Sequence, residues 1–297
     1  MRDFSENTYK YLLEIIKSNN YHFQTFEQEL FSPSTKVIIL RHDIDRLPDN
    51  ALRFARIEKG LGINSTYYFR IEEGSFNKEI IKEIYSLGHE IGYHYEEVSS
   101  TAQKQKKGCT ANDAGLKEEE IVRVAIERFK ENLAKLREIV PVNTICMHGS
   151  PLSKWDSRLL WKYFDYHDFG IIGEPYFDID FNEVLYLTDT GRCWDGDQFN
   201  IRDKATVPQS LRLSVFPSLS PSVSSSAPHA ANLKSFPKFH STFDIIRAAE
   251  DGKLPDKIMM TFHPQRWTNK LIPWLEELVW QNVKNVVKYF LVKWRDE

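Results

Sequence analysis

Short apolar runs rich in β-branched and aromatic residues recur along this chain, separated by longer stretches whose apolar period is near 3.6. This alternation constrains the fold more than any other feature. It demands strand–helix units and a parallel sheet, and it excludes an all-β sandwich and an all-α bundle. Strands are predicted near 36–40, 65–69, 90–94, 142–147, 169–172, 184–187 and 258–262, enough for a closed or nearly closed barrel. Helices fit 7–17, 50–58, 77–85, 117–138, 157–164, 243–250 and 271–293. Asn77 ahead of KEIIKEIYSL and Gly88 beyond it read as caps, and Asp49 or Asn50 opens ALRFARIEK. In the longest of the early helices Ile121, Val124, Ala125, Phe129, Leu133 and Leu136 form one stripe, as on an outer barrel helix rather than a coiled coil.

A chain of 297 residues can bury one large core, with residues 1–33 as a helical extension packed on a barrel formed by 34–297. At 41% hydrophobic content and net charge −3, the composition excludes intrinsic disorder and offers no field to hold a nucleic acid. Cys109, Cys146 and Cys193 are odd in number and lack CxxC spacing, so they read as free thiols in a reducing compartment. The amino terminus has no uninterrupted apolar core, and no apolar run approaches the ~20 residues of a membrane span. A cytoplasmic protein is expected. From Ala205 to Phe243 there is no Asp or Glu, and nine serines fall between Ser210 and Ser235, so a flexible serine- and proline-rich insertion is expected at about 205–240.

The strand Val37-Ile-Ile-Leu-Arg-His-Asp-Ile-Asp45 ends in two carboxylates. Positions two apart on a strand share a face, so Asp43 and Asp45 converge while His42 points the other way. Gly88-His-Glu-Ile-Gly-Tyr-His-Tyr-Glu-Glu97 brings His94 and Glu96 to one face at its far end, a spacing suited to metal ligation, with His89 at the opposite end. Two further runs, Asn143-Thr-Ile-Cys-Met-His148 and Ile258-Met-Met-Thr-Phe-His263, finish in histidine. Active sites of βα barrels lie at the carboxyl ends of the strands, and four strands ending in Asp or His point to a metal-dependent site.

RHDID, a strand ending in Tyr-Tyr-Phe, GHEIGYH and a late strand ending in His263 together resemble the polysaccharide deacetylases with the NodB-homology domain, carbohydrate esterase family 4. The resemblance spans roughly Lys36 to Pro264. It implies a distorted (β/α)7 barrel holding one divalent metal ion; zinc is expected, while mixed His and carboxylate ligands also suit iron, cobalt, nickel or manganese. It further implies Asp43 as general base, Asp45 and His94 as metal ligands, and His263 as general acid. The family's second metal histidine falls on Val98, so the third ligand is open among His148, Glu96 and Glu97. MHGSP stands where the family has an Arg-Pro-rich motif, and LTDTGRCWDG, with Asp189, Trp194 and Asp195, stands near its Asp–Trp element.

The reaction expected is hydrolysis of a C–N amide bond, with an N-acylated amino sugar or a sugar intermediate of surface-polysaccharide assembly as substrate. The alternatives are an inactive carbohydrate-binding barrel and an amidohydrolase acting on a non-sugar amide. Arg266, Trp267 and Tyr95 are candidates for substrate contact, as are the other aromatic residues near the mouth, Tyr93, Trp155 and Trp194, and more weakly Arg192.

Overall fold

The computed structural model describes residues 1–108, 117–149, 153–195 and 236–295. Cys109 and most of the serine- and proline-rich segment lie outside them. The described strands are β1 (His22–Gln24), β2 (Val37–Ile44), β3 (Thr66–Phe69), β4 (Glu90–Tyr95), β5 (Ile145–Met147), β6 (Leu185–Thr188) and β7 (Lys257–Phe262). Every pairing between them is parallel, along the path β5-β4-β3-β2-β7-β6. β1, which the periodicity does not reveal because it is only three residues long, lies beside the first half of β2, ahead of β3 on that edge. The architecture is α/β with a curled parallel sheet, compatible with a distorted barrel.

The strand expected at 169–172 is reduced to a single bridge, Thr144↔Gly173, on the outer side of β5. Residues Tyr166–Phe169 instead form a 3-10 turn, and only two ladder bonds follow: Ile172 N–H to the Asn143 carbonyl at 2.8 Å and Ile145 N–H to the Gly173 carbonyl at 3.2 Å. Pro175 has no N–H to continue the ladder, and the Glu174 side chain caps a short helix, Pro175–Asp178.

Most helices appear where the pattern places them. Asn77 caps Lys78–Ser86 through its side chain, and Gly88 takes the positive φ that ends that helix's exit turn. The helix expected from residue 50 begins earlier, at Pro48, because proline at the first helical position needs no N–H partner. The 157–164 element is a 3-10 turn plus one helical turn, Leu160–Tyr163. In Glu118–Arg137 the buried stripe takes in Val122 and Ile126, whereas Val124 is exposed. Helix Glu6–Ser18 puts Tyr9, Leu12, Leu13 and Ile16 into the same core as the sheet.

β2 is buried along its whole length, and its alternation sorts chemistry onto two faces. Arg41 and Asp43 face the inside of the curl, where Asp45 follows. His42 faces the helix Pro48–Gly60, where Glu58 Oε1 lies 2.7 Å from its Nε2. That fully buried carboxylate also accepts from Tyr9, Ser65 and Tyr67, and His89 Nδ1 lies 3.4 Å from its other oxygen. On the inner face, a Cβ at Gly92 of β4 would meet the Tyr68 ring at 2.2 Å, so glycine leaves the space in which that ring lies between Arg41 and His94.

Candidate metal centre and active site

The carboxyl ends of β2, β4, β5 and β7 bring Asp43, Asp45, His94, His148 and His263 together. Neighbouring strands lie about 4.8 Å apart, so β2 and β4 would hold their side chains well separated on a flat sheet. The curl closes that gap: His94 Nε2 is 3.8 Å from both Asp43 Oδ2 and Asp45 Oδ1.

The His94 ring is oriented by its other nitrogen, which is 3.0 Å from the Cys146 carbonyl and must donate to it. Nε2 is left with its lone pair toward the carboxylates. Burial takes the His94 imidazole down to about 4, against the pull of Asp43, so the ring is neutral at physiological pH. His148 Nδ1 lies 3.1 Å from Asp45 Oδ1 and 3.3 Å from His94 Nε2. Burial opposes charge on His148 too, but Asp45 outweighs it and raises the imidazole. Burial works against the Asp45 carboxylate, yet His148, His263 and His94 hold it well below the usual carboxylate range.

Asp45 Oδ1, His94 Nε2 and His148 Nδ1 are thus separated by 3.1, 3.3 and 3.8 Å. A tetrahedral ion with bonds of about 2.1 Å sets its ligand atoms about 3.4 Å apart. The edges of this triangle are of that size. Asp45 Oδ1 is also buried without a properly directed hydrogen bond, the condition of an oxygen awaiting a cation. The residues fit a divalent ion. A second group, Asp43, His94 and Cys146, also converges, but Arg41 already occupies both Asp43 oxygens, at 2.8 and 2.7 Å. That clamp makes Asp43 a poor ligand.

Arg41 stands two residues before Asp43, on the same strand face, and is almost fully buried over the Tyr68 and Tyr176 rings. Burial pushes the Asp43 carboxyl up, but Arg41 and then His94 overcome it and lower it to about 2. Asp43 is thus held by a residue inside β2 itself. An arginine in an otherwise apolar run was the available signal in the sequence.

His263 is held from the opposite side. Its Nδ1 is 2.6 Å from Asp189 Oδ1, and its Nε2 faces Asp45 Oδ2 at 4.0 Å. Asp189 is fully buried and also accepts from the His263 N–H at 3.0 Å, Arg266 at 2.8 Å and Trp267 Nε1 at 2.6 Å. Burial works against this carboxylate, but Arg266 and His263 keep it lowered. Arg266 and Trp267, expected at the substrate, therefore serve Asp189. Gln265 donates to Asp45 Oδ2 at 3.1 Å, a contact no sequence motif announced.

Other expected residues lie elsewhere. Tyr95 is fully buried and its hydroxyl accepts from Trp161 Nε1 at 2.8 Å; alternation with the inward-facing His94 turns Tyr93 and Tyr95 to the covering helices, away from the Asp–His cluster. Glu97 is turned to Tyr93 and Asn132, so it is no metal ligand. Glu96 pairs with Arg70, with Oε2 3.9 Å from His148 Nε2, beside the cluster rather than in it. Trp194 is buried on Thr242, Asp195 lies against His240, and Arg192 packs over Phe4 and Trp274. Trp155 is half-buried against the core.

Among the described residues no helix is long and apolar enough to cross a membrane. Comparisons with models of known families and with curated protein sequences find no match. Among solved structures, the chain is similar to the Streptococcus pyogenes deacetylase PplD in complex with acetate, at 16% sequence identity and a TM-score of 0.35, the match covering 48% of this chain and 60% of that one.

Proposed function

We propose that this protein is a metal-dependent hydrolase of a C–N amide bond. The observation that carries the reading is the triangle of Asp45 Oδ1, His94 Nε2 and His148 Nδ1, flanked by two separately held proton-transfer groups. A divalent ion held there, zinc by the donor set, would polarise the amide carbonyl and acidify a water.

The protein's own residues supply the rest. Asp43 is ionised through the physiological range and kept off the metal by the Arg41 clamp, which leaves it to accept a proton at the edge of the cluster. His263 receives its orientation from Asp189 at Nδ1, so Nε2 faces the cluster and delivers a proton to the departing nitrogen. Base and acid come from the adjacent strands β2 and β7, where Asp43 and His263 each follow the paired residues His42 and Phe262, so both can reach one carbon. The substrate we assign is an N-acyl amino sugar or a sugar-linked intermediate of surface-polysaccharide assembly, processed in the cytoplasm.

The test is metal content and acetate release. The purified chain should bind one zinc or cobalt ion, and Asp45→Ala should weaken binding by more than about 100-fold. Metal-loaded protein should release acetate from N-acetylated sugar nucleotides, and Asp43→Asn should abolish release with metal retained. No metal binding, or turnover unchanged by Asp43→Asn, would overturn the mechanism. Sugar binding without turnover would favour a carbohydrate-binding barrel.

A further inference from the structure

The helix Leu271–Arg295 is amphipathic in the inverse sense. Its docked side is polar: Gln281 and Asn285 are buried, Asn285 Nδ2 donates to the Gly191 carbonyl at 2.9 Å, and Glu277 pairs with Arg46 at 2.6 Å. Its outward side is apolar. Ile272, Leu275, Val279, Val283 and Val286 are 70%, 45%, 63%, 50% and 57% exposed, with Leu271 and Trp280 beside them. At 100° per residue those five positions fall within one narrow stripe.

The stripe is symmetrical about Val279. Its steps run three, four, four and three residues, so reversing the helix direction superimposes Ile272 on Val286 and Leu275 on Val283. Such a pattern is self-complementary for two antiparallel helices related by a two-fold axis. With Leu271 and Trp280 flanking it, the helix sets seven large apolar side chains, 45–70% exposed, on its outward side, the kind of patch that a stable interface covers. A lipid surface is the poorer match. From 271 to 297 the sequence carries four basic and four acidic residues, and the polar side of the helix faces the protein body instead of an anionic headgroup layer.

We infer that this stripe is the interface of a homodimer, in which the helices of two chains pack antiparallel with Val279 against Val279 on the two-fold axis. Because the helix docks on Gly191, Arg192 and Arg46, next to Asp189 and Asp45, the interface also braces the rim of the candidate site.

Sedimentation velocity of the full chain at micromolar concentration should give a dimer, and Val279→Glu should give a monomer with unchanged far-ultraviolet circular dichroism. In a Cys109→Ser background, Val279→Cys should form a disulfide-linked dimer under mild oxidation, whereas Val124→Cys, exposed on another helix, should not. A monomeric wild type, a dimer that survives Val279→Glu, or a monomer that floats with phosphatidylglycerol vesicles through this helix would each overturn the inference.

Discussion

The two faces of β2 carry two clusters of similar composition and opposite character. Each has a carboxylate with histidines beside it: fully buried Glu58 with His42 and His89 on the outer face, half-buried Asp45 with His94 and His148 on the inner. The Glu58 oxygens are saturated, since Tyr9, Ser65, Tyr67 and His42 all lie at hydrogen-bond distance. Asp45 Oδ1 has only His148 Nδ1 at such a distance, 3.1 Å and without hydrogen-bond geometry, and His94 Nε2 lies 3.8 Å away. A carboxylate–histidine cluster is therefore structural when donors saturate its oxygens, and open to a cation when an oxygen is left without a directed donor.

The strongest way to break this comparison is Glu58→Ala, which strands buried donors on three elements and should destabilise the fold by about 3–5 kcal/mol. Calorimetry gives the loss; zinc affinity of the folded variant should stay within about twofold if the faces are independent. Acid titration sharpens the same point. Burial disfavours the Glu58 carboxylate, but His42 outweighs it and sets it at about 2, below its unfolded range. Its stabilisation is then present above about pH 4.5 and is lost as pH falls from there toward 2, a contribution of order 3 kcal/mol. Glu58→Gln should remove that part of the slope in denaturant unfolding followed against pH.

On the inner face the effects should be smaller on stability and specific to the metal. Gly92→Ala drives a methyl into the Tyr68 ring, 2.2 Å from where its Cβ would sit, and should cost about 1–3 kcal/mol while disturbing His94. The check is melting temperature together with zinc affinity, both of which should fall. Gln265→Leu removes only the donor to Asp45 Oδ2 and should weaken zinc about tenfold with little change in melting temperature. A Gln265 variant that loses stability instead would place that residue in the fold rather than in the site.

Much of the sheet was legible because strand periodicity is local. β2, β3, β4, β6 and β7 fall where apolar alternation places them, and the period of two correctly separates His42 from Asp43 and Asp45. The strand expected at 169–172 was over-read, since an apolar run says nothing of the Pro175 that stops its ladder at one bridge. His148 stood among three candidates for the third ligand. The curl brings its Nδ1 to 3.1 Å from Asp45 Oδ1, while Arg70 holds Glu96, and Asn132 and Tyr93 hold Glu97.

The sequence by itself determined which residue types end the strands and which face each occupies, because both follow from neighbours along the chain. The tertiary structure alone decided whose lone pairs remain free. Arg41, Asp189 and Gln265 are distributed over β2, the turn after β6 and the turn after β7, and each claims or orients a particular oxygen or nitrogen across a gap that no local pattern encodes. Hydrogen-bond saturation is a property of the assembled neighbourhood, and it is what separates the candidate metal cluster inside the sheet from the core cluster behind it.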